Sequence, residues 1–199
     1  MARADEFQEF RPGLYFWQAY EPAVKVDLSC CARRTEQGLV FIDPIPLAKG
    51  ALEELMEAAS PAAILLTSGN HTRAAAEYRK RFSIPIFAHA EAVEELGLPV
   101  DHLVAEGDTV FGALTISRLE GSAPGEVAIH GDGVWHLGDA LIHLPPTGFS
   151  VLPDKYCEDP KELRRSLQKL LRNPFEVLTF AHGLPIVAHA RQRLSQLLA

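Results

Sequence analysis

The stretch ILLTSGNHTRAAAEY, residues 64–78, joins an apolar run ending at Ser68 to a short polar loop and then to an alanine-rich segment. A short apolar run bounded by turn residues reads as a buried strand, and the segment from residue 71 to 82 reads as a helix. Strand, polar loop, helix is a common way to build a metal or anion site. This loop, however, carries a single histidine, His71, and an Asn70 where a carboxylate would be useful.

Downstream, IPIFAHA (84–90) reads as a further strand. Upstream, GLYFWQAY, KVDLSCCARR and GLVFID read as β structure, the last two separated by the turn-forming TEQG. Pro44 and Pro46 end that strand. Leu47, Leu52, Leu55, Met56 and Ala59 then approximate one face of a helix. Beyond residue 104, VAEGDTVFGALTISRLEG and EVAIHGDGVWHLGDALIH alternate around Gly-Asp turns and predict a meander. DPKELRRSLQKLLRNP announces a helix, with Asp159 as N-cap, Pro160 in the first turn, Glu162 three residues after the cap, and Pro174 as the stop. EVLTFAHG is then a strand, and residues 185–198 form a closing helix. The element order predicts sheets faced by helices, α+β in class, in a single domain spanning 1–199.

The composition is 47% hydrophobic and 23% charged, enough for a core without disulfides. A formal charge of −7 without a dense Lys/Arg cluster argues against a nucleic-acid or anionic-membrane surface. The opening residues lack an apolar signal core, and no apolar run approaches the ~20 residues of a membrane span. Cys30, Cys31 and Cys157 are odd in number, and two are adjacent, which suits a reducing compartment; a soluble cytoplasmic protein is the expectation.

Four apolar runs end on polar stretches: ILLTS on Gly69-Asn70-His71, LTISRLEG on Ser122, GVWHLG on Asp139, and EVLTFA on His182. Ligands gather beyond the carboxyl ends of strands, so these four stretches are candidate walls of one pocket. Together with GLVFIDP, the segments ILLTSGNHTRAAAEYRKRFSIPIFAHAEA, EGDTVFGALTISRLEGSAPGEVAIH, VWHLGDALI and LTFAHGLP resemble, in order and over nearly the whole chain, the metallo-β-lactamase-fold superfamily, which includes glyoxalase II-like hydrolases. The resemblance implies a four-layer αββα sandwich of the metallo-β-lactamase type. Fold alone does not establish chemistry.

The family's usual loop is T-H-x-H-x-D-H. Against it, Asn70 falls on the Asp and His71 on the last His, and TSGNH is two residues short with both leading histidines absent. Ser122 falls on a further metal histidine, while Asp139 and His182 match the bridging carboxylate and the last His. The resemblance thus implies that one metal position has lost its ligands, while His71, Asp139 and His182 survive for the other, with Asn70 in place of a carboxylate. Two imidazoles and one carboxylate are a familiar set for a catalytic Zn²⁺ with its fourth position left to water. Neutral Asn weakens such a shell.

Plainer readings stand beside these. Asn70 reads first as a helix N-cap, and Asp139 fits an Asx turn as well as a pocket. Arg73 is either a solvated helix residue or a guanidinium filling the vacated metal space and pairing with Asp139 or Glu126. Ser122 is a filler or a member of that network. Asp43 resembles a structural carboxylate of the family, and Lys155 an exposed lysine. The Cys30-Cys31 pair is expected to point one residue inward and one outward. His89, His102, His130, His136 and His143 show no ligand spacing and are expected at strand ends or on the surface.

Three functions follow. The first is a divergent hydrolase with one divalent metal (Zn, Fe or Mn) at His71, Asp139 and His182, acting on a small ester, thioester or lactone. The second is a metal-free protein that binds a small-molecule ligand or catalyses through Arg73, Asp139 and His182. The third is a regulatory homologue using another surface. Substrate identity and oligomeric state are not legible at this level.

Overall fold

The structure is a computed structural model describing residues 1–199. Its first half is one seven-stranded sheet laid down in chain order: β1 (Gln8–Arg11), β2 (Leu14–Glu21), β3 (Val26–Thr35), β4 (Gly38–Ile42), β5 (Pro61–Leu65), β6 (Ile86–His89) and β7 (His102–Val104). The first four strands pair antiparallel, and β4 through β7 pair parallel. Parallel neighbours need crossovers. Here these carry the helices α1 (Lys49–Ala58), α2 (Ala75–Phe82) and α3 (Val93–Leu96).

The second half holds β8 (Thr109–Val110), β9 (Leu114–Arg118), β10 (Val127–Gly131), β11 (Val134–Leu137), β12 (Leu141–Leu144), β13 (Gly148–Val151), α4 (Pro160–Leu170), β14 (Val177–Phe180) and α5 (Ala190–Leu198). Its five-stranded sheet runs β14-β11-β10-β9-β8, with β14 parallel to β11. Strands β12 and β13 form a separate two-stranded ribbon. The expected meander therefore stops at β11, because the chain turns away at Gly138-Asp139.

Four apolar clusters, two of them between the sheets, define four layers. Leu52, Leu55, Tyr78 and Leu96 of the helices pack with Trp17, Phe41 and Ile64 on one face of the first sheet. Leu163, Leu167, Leu170 and Leu194 pack with Trp135, Leu178 and Phe180 on the far face of the second. Between the sheets, Val40, Ile42 and Leu65 meet Leu114, Ile116 and Ile129, and Leu14, Phe16 and Cys31 meet Val134 and Val177. Each such side chain contributes roughly 1.5–3 kcal/mol on burial. The order is helices, sheet, sheet, helices, the αββα sandwich expected from the sequence.

Because both faces of the first sheet are covered, Cys30 and Cys31 alternate as expected but are both buried. His136 likewise lies buried between layers, 2.6 Å from Thr179 Oγ1, and not at a surface. Asp159 caps α4 by accepting from the amides of Lys161 and Glu162. No helix is long and apolar enough to cross a membrane.

Candidate metal centre

Four strands end at the same edge of the sandwich, two from each sheet. Asp43 follows β4, the Thr67–His71 loop follows β5, Asp139 follows β11 and His182 follows β14. The structure brings His71, Asp139 and His182 together, with one ligating atom from each lying within 4.8 Å of the others. The Nε2 atoms of His71 and His182 lie 3.3 and 3.1 Å from Oδ1 of Asp139.

The far side of each imidazole is fixed. His182 Nδ1 lies 3.0 Å from the carbonyl oxygen of Asp27. A carbonyl only accepts, so Nδ1 carries the proton and Nε2 of the neutral ring keeps its lone pair. His71 Nδ1 lies 3.0 Å from Oδ2 of Asp43, whose carboxylate also accepts from the backbone amide and hydroxyl of Thr67. This too places the proton on Nδ1. Outer hydrogen bonds of this kind set the tautomer of metal-binding histidines.

The inner atoms are buried and unsatisfied: His71 Nε2 and Asp139 Oδ1 have no aligned hydrogen-bond partner. Donor atoms around a tetrahedral Zn²⁺ stand roughly 3.3–3.5 Å apart, close to the 3.1 and 3.3 Å separations here. The chain's own residues therefore fit one divalent ion. No second set of three donors gathers nearby.

Charge is concentrated here. Burial works against the charged form of His71, but the Asp43 carboxylate, helped by Asp139, outweighs it and pushes the imidazole up to about 9. Burial also opposes ionisation of Asp139, yet the charge of His71 and the contacts with His182 and His71 hold its carboxyl well below the usual range. Glu126 lies fully buried behind the site. Burial, then the charge of Asp139, pushes its carboxyl up to about 7. Its two oxygens accept from the Ser122 hydroxyl and, at 2.8 Å, from the Ala140 amide, anchoring the turn that presents Asp139.

Several expectations are corrected. Arg73 pairs with neither Asp139 nor Glu126. Its guanidinium donates to the carbonyls of Ser29 (2.7 Å), Asp43 (3.2 Å) and Ala181 (3.1 Å), tying β3 to the ends of β4 and β14. The reason is local: Arg73 has φ of 39°, a left-handed turn that aims its side chain across the strand ends and delays α2 until Ala75. Asn70 does not cap that helix, which has no side-chain cap. Its amide nitrogen donates to Asp139 Oδ2 at 2.9 Å, leaving only its carbonyl oxygen for a metal. Ser122 is no pocket wall, being buried against Glu126. One expectation holds: Lys155 is exposed, with its ammonium 4.6 Å from the Tyr156 ring.

A cavity of about 950 Å³ opens over the trio, with Asn70, Arg73, Glu95 and Tyr156 among its lining. Sequence reasoning did not find Thr67, Glu95 or Tyr156. Thr67, directly after an apolar run, carried a weak signal, and the other two carried none.

Sheets sandwiched between helices, with histidines and a carboxylate converging at strand ends, define a class of metal-site folds. Residues 8–199 match the family model described as Metallo-beta-lactamase superfamily, and the chain belongs to that superfamily. None of the curated proteins compared matches it. Among solved structures, DIM-1 metallo-beta-lactamase is 14% identical over 98% of both chains, with a TM-score of 0.76. The metallo-beta-lactamase family protein TTHA1429 from Thermus thermophilus is 22% identical over 96% of this chain and 79% of its own, with a TM-score of 0.69. Protein TTHA1623, solved in a di-iron-bound form, is 25% identical over 89% of this chain and 98% of its own, with a TM-score of 0.66. The first two speak to the fold alone. The family's members are generally hydrolases.

Proposed function

We propose that this chain is a single-domain hydrolase that holds one divalent metal ion (Zn, Fe or Mn) in a reduced site and acts on a small ester, thioester or lactone. One observation carries the reading: both imidazoles have Nδ1 engaged by an oxygen, so both Nε2 atoms converge on one carboxylate oxygen. His71, Asp139 and His182 hold the ion, with Asn70 orienting Asp139. When bound, the ion supplies Lewis-acid polarisation of a carbonyl and a water of lowered pKa. Asp43 keeps His71 oriented, and Glu126 holds the backbone of the turn that presents Asp139. Arg73 is a positioning residue, because the carbonyls it grips belong to Asp43 itself and to Ala181, the neighbour of His182.

The loss of a second donor set argues for one ion, in contrast to the di-iron form of TTHA1623. The net charge of −7 favours a small molecule over nucleic acid as ligand. Three free cysteines, two of them buried, suit a reducing compartment such as the cytoplasm.

A metal-free ligand-binding role has one observation in its favour: a second proton on His71, on Nε2 facing Asp139 while Nδ1–H faces Asp43, places a cation between the two carboxylates without an ion. Elemental analysis of protein purified without added metal separates the two. The hydrolase reading expects near one equivalent, lost in His182→Ala and retained in Ser122→Ala. Less than about a tenth of an equivalent, with no recovery on adding metal, removes it.

A further inference from the structure

The cavity over the trio is lined mainly by apolar side chains, with Glu21 and Glu95 the charged residues outside the site itself. Val24 and Leu28 of the β2–β3 hairpin form one wall, Ile142 and Leu144 of β12 a second, and Leu152 and Tyr156 beyond β13 a third. Val24 and Tyr156 are 58% and 61% exposed, so large apolar side chains stand in water at the mouth. Exposed apolar surface around a polar base marks a site that gains by covering it.

The charges in the same cavity point the same way. Glu21 and Glu95 line it, no lysine does, and the single arginine is Arg73. Both terminal nitrogens of Arg73 already donate to backbone carbonyls. Glu95 is packed over the metal loop, since a Cβ on Gly69 would lie 2.5 Å from its Oε2. Glu21 is already engaged by the N-terminal ammonium at 3.9 Å and by the amides of Ala2 and Ala23. An anionic group on a ligand would therefore meet the Glu95 carboxylate, with Lys155 held over the Tyr156 ring as the cation nearest the mouth. An alkyl chain would find apolar side chains from three segments of the chain.

Building on the hydrolase reading above, we infer that the substrate carries an uncharged acyl chain of several carbons, lying along Val24, Leu28, Ile142, Leu144, Leu152 and Tyr156, and that acyl chains ending in an anion are rejected. Hydrolysis consumes one water: its hydroxyl joins the acyl carbon, the bond from that carbon to the alcohol oxygen or thiol sulfur breaks, and the remaining proton goes to the departing group. Each methylene covered by the walls adds a factor of roughly two to four in kcat/KM. A terminal carboxylate left without a partner costs about tenfold or more.

The test uses the metal-loaded protein with p-nitrophenyl acetate, p-nitrophenyl octanoate and the mono-p-nitrophenyl ester of octanedioic acid. Turnover requires the ester at the base, so the far end of the chain must lie along the walls. The expected result is a kcat/KM for octanoate at least tenfold above that for acetate and tenfold above that for the octanedioic ester. Val24→Lys, at an exposed position, is expected to close the second gap. Equal rates for octanoate and either other ester overturn the inference. Turnover of none of the three removes the hydrolase reading instead. The walls are then judged by calorimetric binding of octanamide against butanamide, where octanamide failing to bind at least tenfold more tightly overturns the inference independently.

Discussion

Asp43 Oδ2 and His71 Nδ1 sit 3.0 Å apart, both side chains about 3% exposed, with His71 lining the cavity and Asp43 behind it. The two residues come from neighbouring parallel strands, one directly after β4 and the other in the loop after β5. Strand pairing in the first sheet therefore sets the orientation of an imidazole that faces the second sheet. Asp43 also accepts from the Thr67 amide at 2.9 Å, which fixes the start of the loop carrying His71.

Asp43→Asn keeps the shape and removes the charge behind His71. Metal affinity is expected to fall about 10- to 100-fold, as for other partners behind a ligating histidine. Competition with a chromophoric chelator measures it, and unchanged affinity would show that His71 does not ligate.

Arg73→Met removes three bonds from a cation to backbone carbonyls that join both sheets. A loss of about 2–4 kcal/mol is expected in urea unfolding, since buried acceptors are left without donors. Arg73→Lys should recover only part of it, because an ammonium cannot fork across carbonyls on separate strands. A loss below about 0.5 kcal/mol in Arg73→Met, the level of an ordinary surface change, would show that the staple is idle.

Glu126 gives a pH dependence of defined sign. Its folded carboxyl is raised to about 7 from a reference value of 4.5, so between those values the folded chain holds a proton that the unfolded chain has released. The contribution of this group to stability is complete below pH 4.5 and is lost as pH rises towards 7. Glu126→Gln can keep both contacts, donating to Ser122 and accepting from Ala140. It should therefore be more stable than the parent above pH 7, by about 1–3 kcal/mol. Denaturant titrations at pH 5 and pH 8 check this, and equal stability differences at the two values would refute it.

Gly183 has φ of +91°, and a Cβ there would lie 1.9 Å from the His143 carbonyl oxygen. Gly183→Ala combines left-handed strain with a backbone clash, so a loss exceeding about 3 kcal/mol is expected. Near-parental unfolding would mean that the β12–β13 ribbon can move off the end of β14.

The layers were legible because each strand and helix carries its own periodicity. GLYFWQAY and DPKELRRSLQKLLRNP state what they are, and Asp159 caps as its position implies. Pairing was less legible. Alternation in DALIH marks β12 as a strand but says nothing of its partner, and that partner proved to be β13. The polar ends after β5, β11 and β14 could be marked from sequence, and geometry gathers His71, Asp139 and His182 from them. The role of Arg73 could not be read, because its acceptors are carbonyls of Ser29, Asp43 and Ala181, which any residue type presents. Glu95 was hidden for a similar reason: only the closeness of α3 to Gly69 brings it to the cavity.

The seven strands of the first sheet neighbour one another in the order in which they occur in the chain. During synthesis, which delivers the N-terminal part first, each of these strands would leave the ribosome to find its partner already waiting. Asp139 and His182 arrive only with the second sheet. His71 can therefore meet Asp139 and His182 only once the second sheet has docked, which makes the gathering of this trio one of the last events in forming the fold.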